Sequence, residues 1–367
     1  GTGKTYAYLV PALLAGGKVI ISTGTKTLQD QLFNRDLPTI RAALKVPVGV
    51  ALLKGRANYV CHYHLARNLV DGRFTTPEDA AHLRAIGRFM EISLSGDKAE
   101  CPEVPEDAMA WQFATSSRDN CLGQECPNIK ECFVASARRA AMDADVVVVN
   151  HHLFFADVML RDEGMGELLP ACNAVIFDEA HQLPETASLF FGESVSTSQL
   201  LELARDTRSE TVAAARDCLD LIEATRKLEK SARDLRLTVN AENARFGFAQ
   251  LEDNKPFHEA VEALDAELAG FGAIVETQAE RSEGLANCLR RTQELQQVLA
   301  RWQRPEGTDW VRWVEVFSQS LALHATPLSI ASIFKRQMDG HPRAWVFTSA
   351  TLAVGRDFGH YCRELGL

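Results

Sequence analysis

Apolar residues run consecutively, without alternation, in four short stretches: Val19-Ile20-Ile21-Ser22-Thr23, Val146 to Val149, Ala174 to Phe177, and Ala344 to Thr348. Such runs, rich in β-branched and aromatic residues and bounded by polar ones, predict strands buried on both faces in a parallel sheet. A helix is predicted over Tyr6 to Leu14, with Pro11 tolerated or kinking near its end. Between Gly55 and Ala140 no strand alternation is visible, and cysteines bound the segment. Beyond Glu193 strand signals fade. Val212, Ala215, Leu219 and Ile222 recur at helical spacing, as do Leu285, Cys288, Leu295, Leu299 and Trp302, which predicts an all-helical insertion of long amphipathic helices. The fold predicted is α/β, a parallel-sheet domain interrupted twice.

The strand at Ala174 ends in adjacent carboxylates, Asp178 and Glu179, followed by Ala180 and His181. Ligands of open α/β sheets gather at the carboxyl ends of strands, so Asp178 is placed to hold Mg²⁺ and Glu179 to polarise a water. The start of the chain supplies the complementary half. Gly1-Thr2-Gly3-Lys4-Thr5 reads as the end of a phosphate-binding loop, in which backbone N–H groups and the lysine cradle phosphates and the threonine hydroxyl reaches Mg²⁺. An acidic pair after a strand is common by itself. Joined to this loop, it indicates a nucleotide-driven motor of the helicase type.

The 367 residues, 46% hydrophobic, can fill two or three compact units and exclude a disordered chain. A net charge of −10 excludes a uniformly basic nucleic-acid binder, so strand contact must come from local patches. No stretch approaches the roughly 20 apolar residues of a membrane span, and no signal peptide is visible. The nine cysteines therefore suggest thiols or metal ligands instead of a disulfide framework. Cys121, Cys126 and Cys132 lie close together, with Cys61 well upstream, and four convergent thiolates suit an iron–sulfur cluster or Zn²⁺. Cys101, in an acidic, proline-containing loop, is set aside. Lys54, Arg56, Arg67, Arg118, Lys130, Arg138 and Arg139 interleave with Tyr59, Tyr63, Trp111, Phe113 and Phe133. That mixture fits a single-strand channel, or equally core aromatics with solvated charge.

On the phosphate loop, the Asp-Glu-Ala-His run and the cysteine quartet, the chain resembles the DinG/YoaA helicases, relatives of XPD in helicase superfamily 2. The resemblance implies a RecA-like motor domain from residues 1–54, 141–193 and 326–367, an iron–sulfur domain at 55–140 and an arch domain at 194–325. It implies ATP, Mg²⁺ and a 4Fe–4S cluster on Cys61, Cys121, Cys126 and Cys132, and 5′ to 3′ movement on single-stranded DNA with unwinding of forked or tailed duplex DNA. Lys4 would neutralise phosphate charge, Thr5 and Asp178 hold Mg²⁺, Glu179 orient the attacking water, and His181 report hydrolysis towards Ser349 and Thr351 of Ser-Ala-Thr. Thr23, Thr25 and Gln29 become candidate strand contacts, or ordinary helix caps. Asn150 and His151 match a family signature near the groove, or are satisfied caps. A cytoplasmic, nucleoid-associated protein with replication or repair partners is implied. The family's second motor domain, with its arginine finger, is placed beyond residue 367 and the start of the phosphate loop before Gly1. On that expectation the 367 residues alone bind nucleotide weakly and hydrolyse ATP at no useful rate. The alternatives are an iron–sulfur or zinc nucleic-acid-binding module without motor activity, and an RNA helicase.

Overall fold

Three of the consecutive apolar runs, those starting at Val19, Val146 and Ala174, form strands covered on both faces, whereas the expected buried strand over Ala344–Thr348 is a partly exposed one with Ala344 and Val346 in solvent. In the computed structural model, which describes residues 3–71, 76–162, 167–304, 310–340, 343–353, 355 and 357–367, the strands in chain order are β1 (Val19–Thr23), β2 (Val50–Leu52), β3 (Val146–Asn150), β4 (Ala174–Asp178), β5 (Glu193–Ser196), β6 (Ala244–Gly247), β7 (Trp310–Val316), β8 (Leu321–Pro327) and β9 (Ala344–Thr348). The chain divides into two compact units. One holds residues 1–55, 134–191 and 329–367, and the other holds 56–133 and 192–328.

The first unit is built on a parallel five-stranded sheet of order β2-β3-β1-β4-β9. Alternate side chains of each strand enter opposite layers. Val19 and Ile21, Val146 and Val148, and Ile176 pack with Tyr8, Leu9 and Leu13 of helix Lys4–Ala15 and with Leu32, Leu37 and Ile40. Ile20, Val147, Val149, Val175 and Phe177 point the other way, onto Phe154, Phe155, Phe334 and Tyr361. Phe177 stacks on Trp345 and Phe347 across the β4–β9 pair. This burial fixes the strand register, and the register carries Asp178 beside Thr348.

In the second unit the predicted all-helical insertion requires correction. Four helices, Thr197–Ala214, Leu219–Leu237, Lys255–Glu276 and Glu283–Gln303, are joined by a four-stranded antiparallel sheet of order β5-β8-β7-β6. The sheet closes one side of the helical core. Val195, Val314, Val316, Leu321 and Leu323 share a single cluster with Leu203, Leu228, Phe257, Phe271 and Trp302. Residues 310–316 alternate with period two, burying Val314 and Val316 while Glu315 pairs with Arg245 on the other face. That weaker signal was masked by the long helical repeats on either side. Helix starts in this unit follow capping chemistry, with Ser196 and Gln199 forming a reciprocal box and Ser282 accepting from the Leu285 N–H.

Candidate active site

Helix Lys4–Ala15 begins at Gly3, whose φ of 75° lies in the left-handed region where glycine is unstrained. Gly1 and Thr2 lie outside the described residues. The first turn of the helix carries no acidic residue, so its free N–H groups and positive dipole end offer a place for an anion. From that turn Lys4 Nζ reaches Glu179 Oε1 at 2.9 Å, an ion pair across 175 positions of sequence.

Glu179 is held in an unusual backbone state. Its φ and ψ of 55° and 44° are left-handed, which costs a residue with a Cβ roughly 1–2 kcal/mol. The turn begins at the end of β4, where the Asp178 carboxylate accepts from the Glu179 N–H at 3.1 Å. Local strain of this kind is retained only where the surroundings impose it, and such positions cluster at functional sites. The other Glu179 oxygen lies 3.5 Å from Ser349 Oγ and 3.4 Å from His181 Nδ1, and His181 Nδ1 lies 2.8 Å from Ser349 Oγ. Lys4, Glu179, His181 and Ser349 therefore meet at one point. Thr351 joins only through its backbone N–H, which donates to Ser349 Oγ.

Asp178, nearly buried, is fixed from both sides. Thr348 Oγ1 donates to Oδ1 at 3.0 Å and the Tyr8 hydroxyl donates to Oδ2 at 3.2 Å. Burial, then the Asp178 charge, pushes the Tyr8 phenol well above the usual range, and the nearby Thr5 side chain offsets that only in part. Neither Tyr8 nor Thr348 was among the sequence-derived candidates. Tyr8 follows Thr5 by three positions and Lys4 by four on one helix face, and Thr348 precedes Ser-Ala-Thr on the strand beside β4, so both were findable once those elements were paired. A hydroxyl with one carboxylate suits Mg²⁺, which takes few protein ligands and completes its octahedron with phosphate and water oxygens.

Behind the acids lies His151, with Nδ1 2.7 Å from Ser22 Oγ of β1 and, among the described residues, Nε2 enclosed without a hydrogen-bond partner of good geometry. Burial pushes its pKa down to about 4, and the carbonyl groups of Asp178 and Glu179 offset that only in part. The remaining candidates of this unit serve local structure here. Asn150 Oδ1 caps the next helix through the Leu153 N–H, Thr25 accepts from the Leu28 N–H, Thr23 donates to the Thr25 carbonyl, and buried Gln29 reaches the Leu53 carbonyl at 3.5 Å.

In the second unit, Cys126 and Cys132 each end a short turn, Gly123–Glu125 and Ile129–Glu131, with their N–H groups bonded to Gly123 and Ile129. Cys121 Sγ accepts from Arg56 Nη1 at 3.0 Å. Burial pushes the Cys61 thiol up to about 12, and the thiols of Cys121 and Cys126 add to the effect; Cys126 is raised by burial and then by Cys121 and Cys132. Cys126 is thus the thiol within electrostatic reach of each of the other three. Among the described residues, however, no group of three or more His, Cys, Asp or Glu side chains is drawn together as a metal site. Tyr59, Tyr63, Trp111, Phe113 and Phe133 are buried instead of presenting ring faces for stacking. No helix among the described residues is long and apolar enough to cross a membrane.

A parallel five-stranded α/β unit, with a helix-borne lysine meeting the acids at a neighbouring strand end, has the build of a nucleotide-binding domain and is consistent with a RecA-like one. No protein-family model matches the chain. Among curated proteins it is 41% identical over 368 residues to ATP-dependent DNA helicase YoaA of Haemophilus influenzae, covering 100% of this chain and 58% of that protein. It is 43% identical over 367 residues to the Escherichia coli protein of the same name, with the same coverage. ATP-dependent helicase DinG of Mycobacterium tuberculosis is 34% identical over 227 residues, 56% of this chain and 33% of that protein. The chain belongs to the DinG/YoaA helicase family and spans 58% of the length of the YoaA relatives.

Proposed function

We propose that the chain is the nucleotide-binding motor portion of an ATP-dependent DNA helicase. The observation that carries this reading is the meeting of Lys4, Glu179, His181 and Ser349 at the mouth of an anion-seeking helix. The Lys4–Glu179 pair is about a quarter exposed on each side, 29% and 26%. A pair so placed contributes about 1 kcal/mol or less. A triphosphate brings more charge and also satisfies the helix N–H groups, so it draws Lys4 away from Glu179. The freed carboxylate, still beside Ser349 and His181, is then available to orient a water against the terminal phosphate. His181 and Ser349 sense that exchange, which supports a role in linking nucleotide state to strand contact. Thr5 and Asp178 would hold Mg²⁺, which would supply charge neutralisation on the phosphate oxygens.

The cysteine quartet is proposed to hold a 4Fe–4S cluster on Cys61, Cys121, Cys126 and Cys132. Movement from 5′ to 3′ on single-stranded DNA, unwinding of forked or tailed duplexes in repair or replication, and a cytoplasmic, nucleoid-associated setting are parts of the same proposal, supported by the relatives' names and the family.

The test is fluorescence polarisation with a labelled single-stranded oligonucleotide and a blunt duplex, with and without ATP and Mg²⁺. The single strand should bind more tightly, and nucleotide should change its affinity. Lys4→Ala should abolish the nucleotide effect while leaving strand binding nearly unchanged. Equal affinity for both DNAs and no response to nucleotide would count against a motor.

A further inference from the structure

The Tyr8 hydroxyl occupies a place that the nucleotide-site reading leaves without a role. It donates to Asp178 Oδ2 at 3.2 Å, one helical turn along from Thr5, the other side chain assigned to Mg²⁺. Tyr8 is 6% exposed and Asp178 8%, so water does not compete freely for this bond. Its ring is seated among Leu9, Leu13, Ile21 and Ile176, which fixes where the hydroxyl points. A residue serving only the core at this position would more often be Phe or Leu, because a buried hydroxyl without a partner costs free energy.

The carboxylate has two oxygens and three donors. Oδ1 takes the Thr348 hydroxyl and the Glu179 N–H, and Oδ2 takes Tyr8. Tyr8 is thus the sole side-chain donor to Oδ2 in the described structure. We infer that Tyr8 is a positioning residue for the divalent cation: it orients the Asp178 carboxylate towards the first turn of the phosphate-loop helix, so that metal and nucleotide bind without first ordering that ligand. The inference rests on the reading of Thr5 and Asp178 as the Mg²⁺ ligands. Preorganisation by outer-shell hydrogen bonds is what sets metal affinity when few protein ligands touch the ion.

The test measures binding of a fluorescent ADP with Mg²⁺ present and with the metal chelated, alongside direct Mn²⁺ binding by electron paramagnetic resonance, for the native chain, Tyr8→Phe and Asp178→Asn. Tyr8→Phe deletes one oxygen and keeps the ring in the core, and a melting curve without metal checks that the fold is retained. Metal-free nucleotide affinity should stay within about twofold of native. The Mg²⁺-dependent gain in affinity, and Mn²⁺ affinity, should fall about tenfold, the loss of one hydrogen bond to a charged group. An unchanged Mg²⁺ gain in Tyr8→Phe, with the gain lost in Asp178→Asn, would overturn the role of Tyr8 alone. A gain unchanged in Asp178→Asn would overturn the metal assignment and the inference with it. A purely structural role would lower melting temperature and leave the metal dependence as in the native chain, which is also a refutation.

Discussion

Acid should loosen the sheet of the first unit through His151. This imidazole is 1% exposed, packs beside Phe177, bonds Ser22 through one nitrogen and leaves the other enclosed. Burial pushes its pKa down from an unfolded value near 6.5 to about 4. The folded chain therefore binds fewer protons than the unfolded chain between those values, and stability is lost as pH falls from about 6.5 towards 4. At pH 5 the linkage amounts to about 2 kcal/mol, a factor of about 30 in the opening equilibrium. His152, also lowered by burial, acts in the same direction and must be subtracted. The variant His151→Gln removes the titration while keeping an amide beside Ser22. Hydrogen exchange of the β3 and β4 amides, corrected for intrinsic rate, should show protection falling about 30-fold more between pH 7.5 and pH 5 in the native chain than in the variant. Equal slopes in the two proteins would refute the account of His151 as a neutral buried wedge.

Elsewhere, the second unit should depend on an ion pair. Arg291 Nη1 meets Asp206 Oδ2 at 2.8 Å with both side chains buried, so Arg291→Met leaves that buried carboxylate with only Asn120 Nδ2 at 3.2 Å and the more distant Arg205 Nε at 3.9 Å, and should cost about 3 kcal/mol by chemical denaturation. Adding Asp206→Asn should restore much of that loss. Gly284 packs so closely on Glu210 and the Tyr63 hydroxyl that a Cβ would collide with both, and Gly284→Ala should lose about 1–3 kcal/mol. For the cysteines, iron and acid-labile sulfide should be found in protein purified without oxygen, near four irons per chain, and should fall sharply in Cys126→Ser. Zinc in a well-folded sample would reassign the quartet.

The parts of the site legible in the sequence were those where residue type alone carries the chemistry. Lys4 sits in a glycine-flanked run, and Asp178 and Glu179 follow an unbroken apolar strand, so both could be named without knowing what lies beside them. What escaped depends on register. Thr348 matters because β9 pairs in parallel with β4, and Tyr8 because helix Lys4–Ala15 turns its third-residue face onto Asp178. The left-handed turn at Glu179 has no sequence signal, since nothing in Glu itself asks for it. Thr25 and Asn150 show the converse. Polar residues at helix starts carry one pattern for capping and for strand contact, and here both side chains are engaged as caps. The three-residue strand β2 and the sheet of the second unit were too short, or too close to strong helical repeats, to stand out by period.

If Lys4 and the Asp178–Glu179 pair form one nucleotide site, calorimetric titration of ATP with Mg²⁺ will detect it. One nucleotide should bind per folded chain, and Lys4→Ala should weaken it by about tenfold or more, as expected for losing a charged phosphate contact. A folded chain that binds no ATP, or one in which Lys4→Ala binds as the native protein does, would contradict the account.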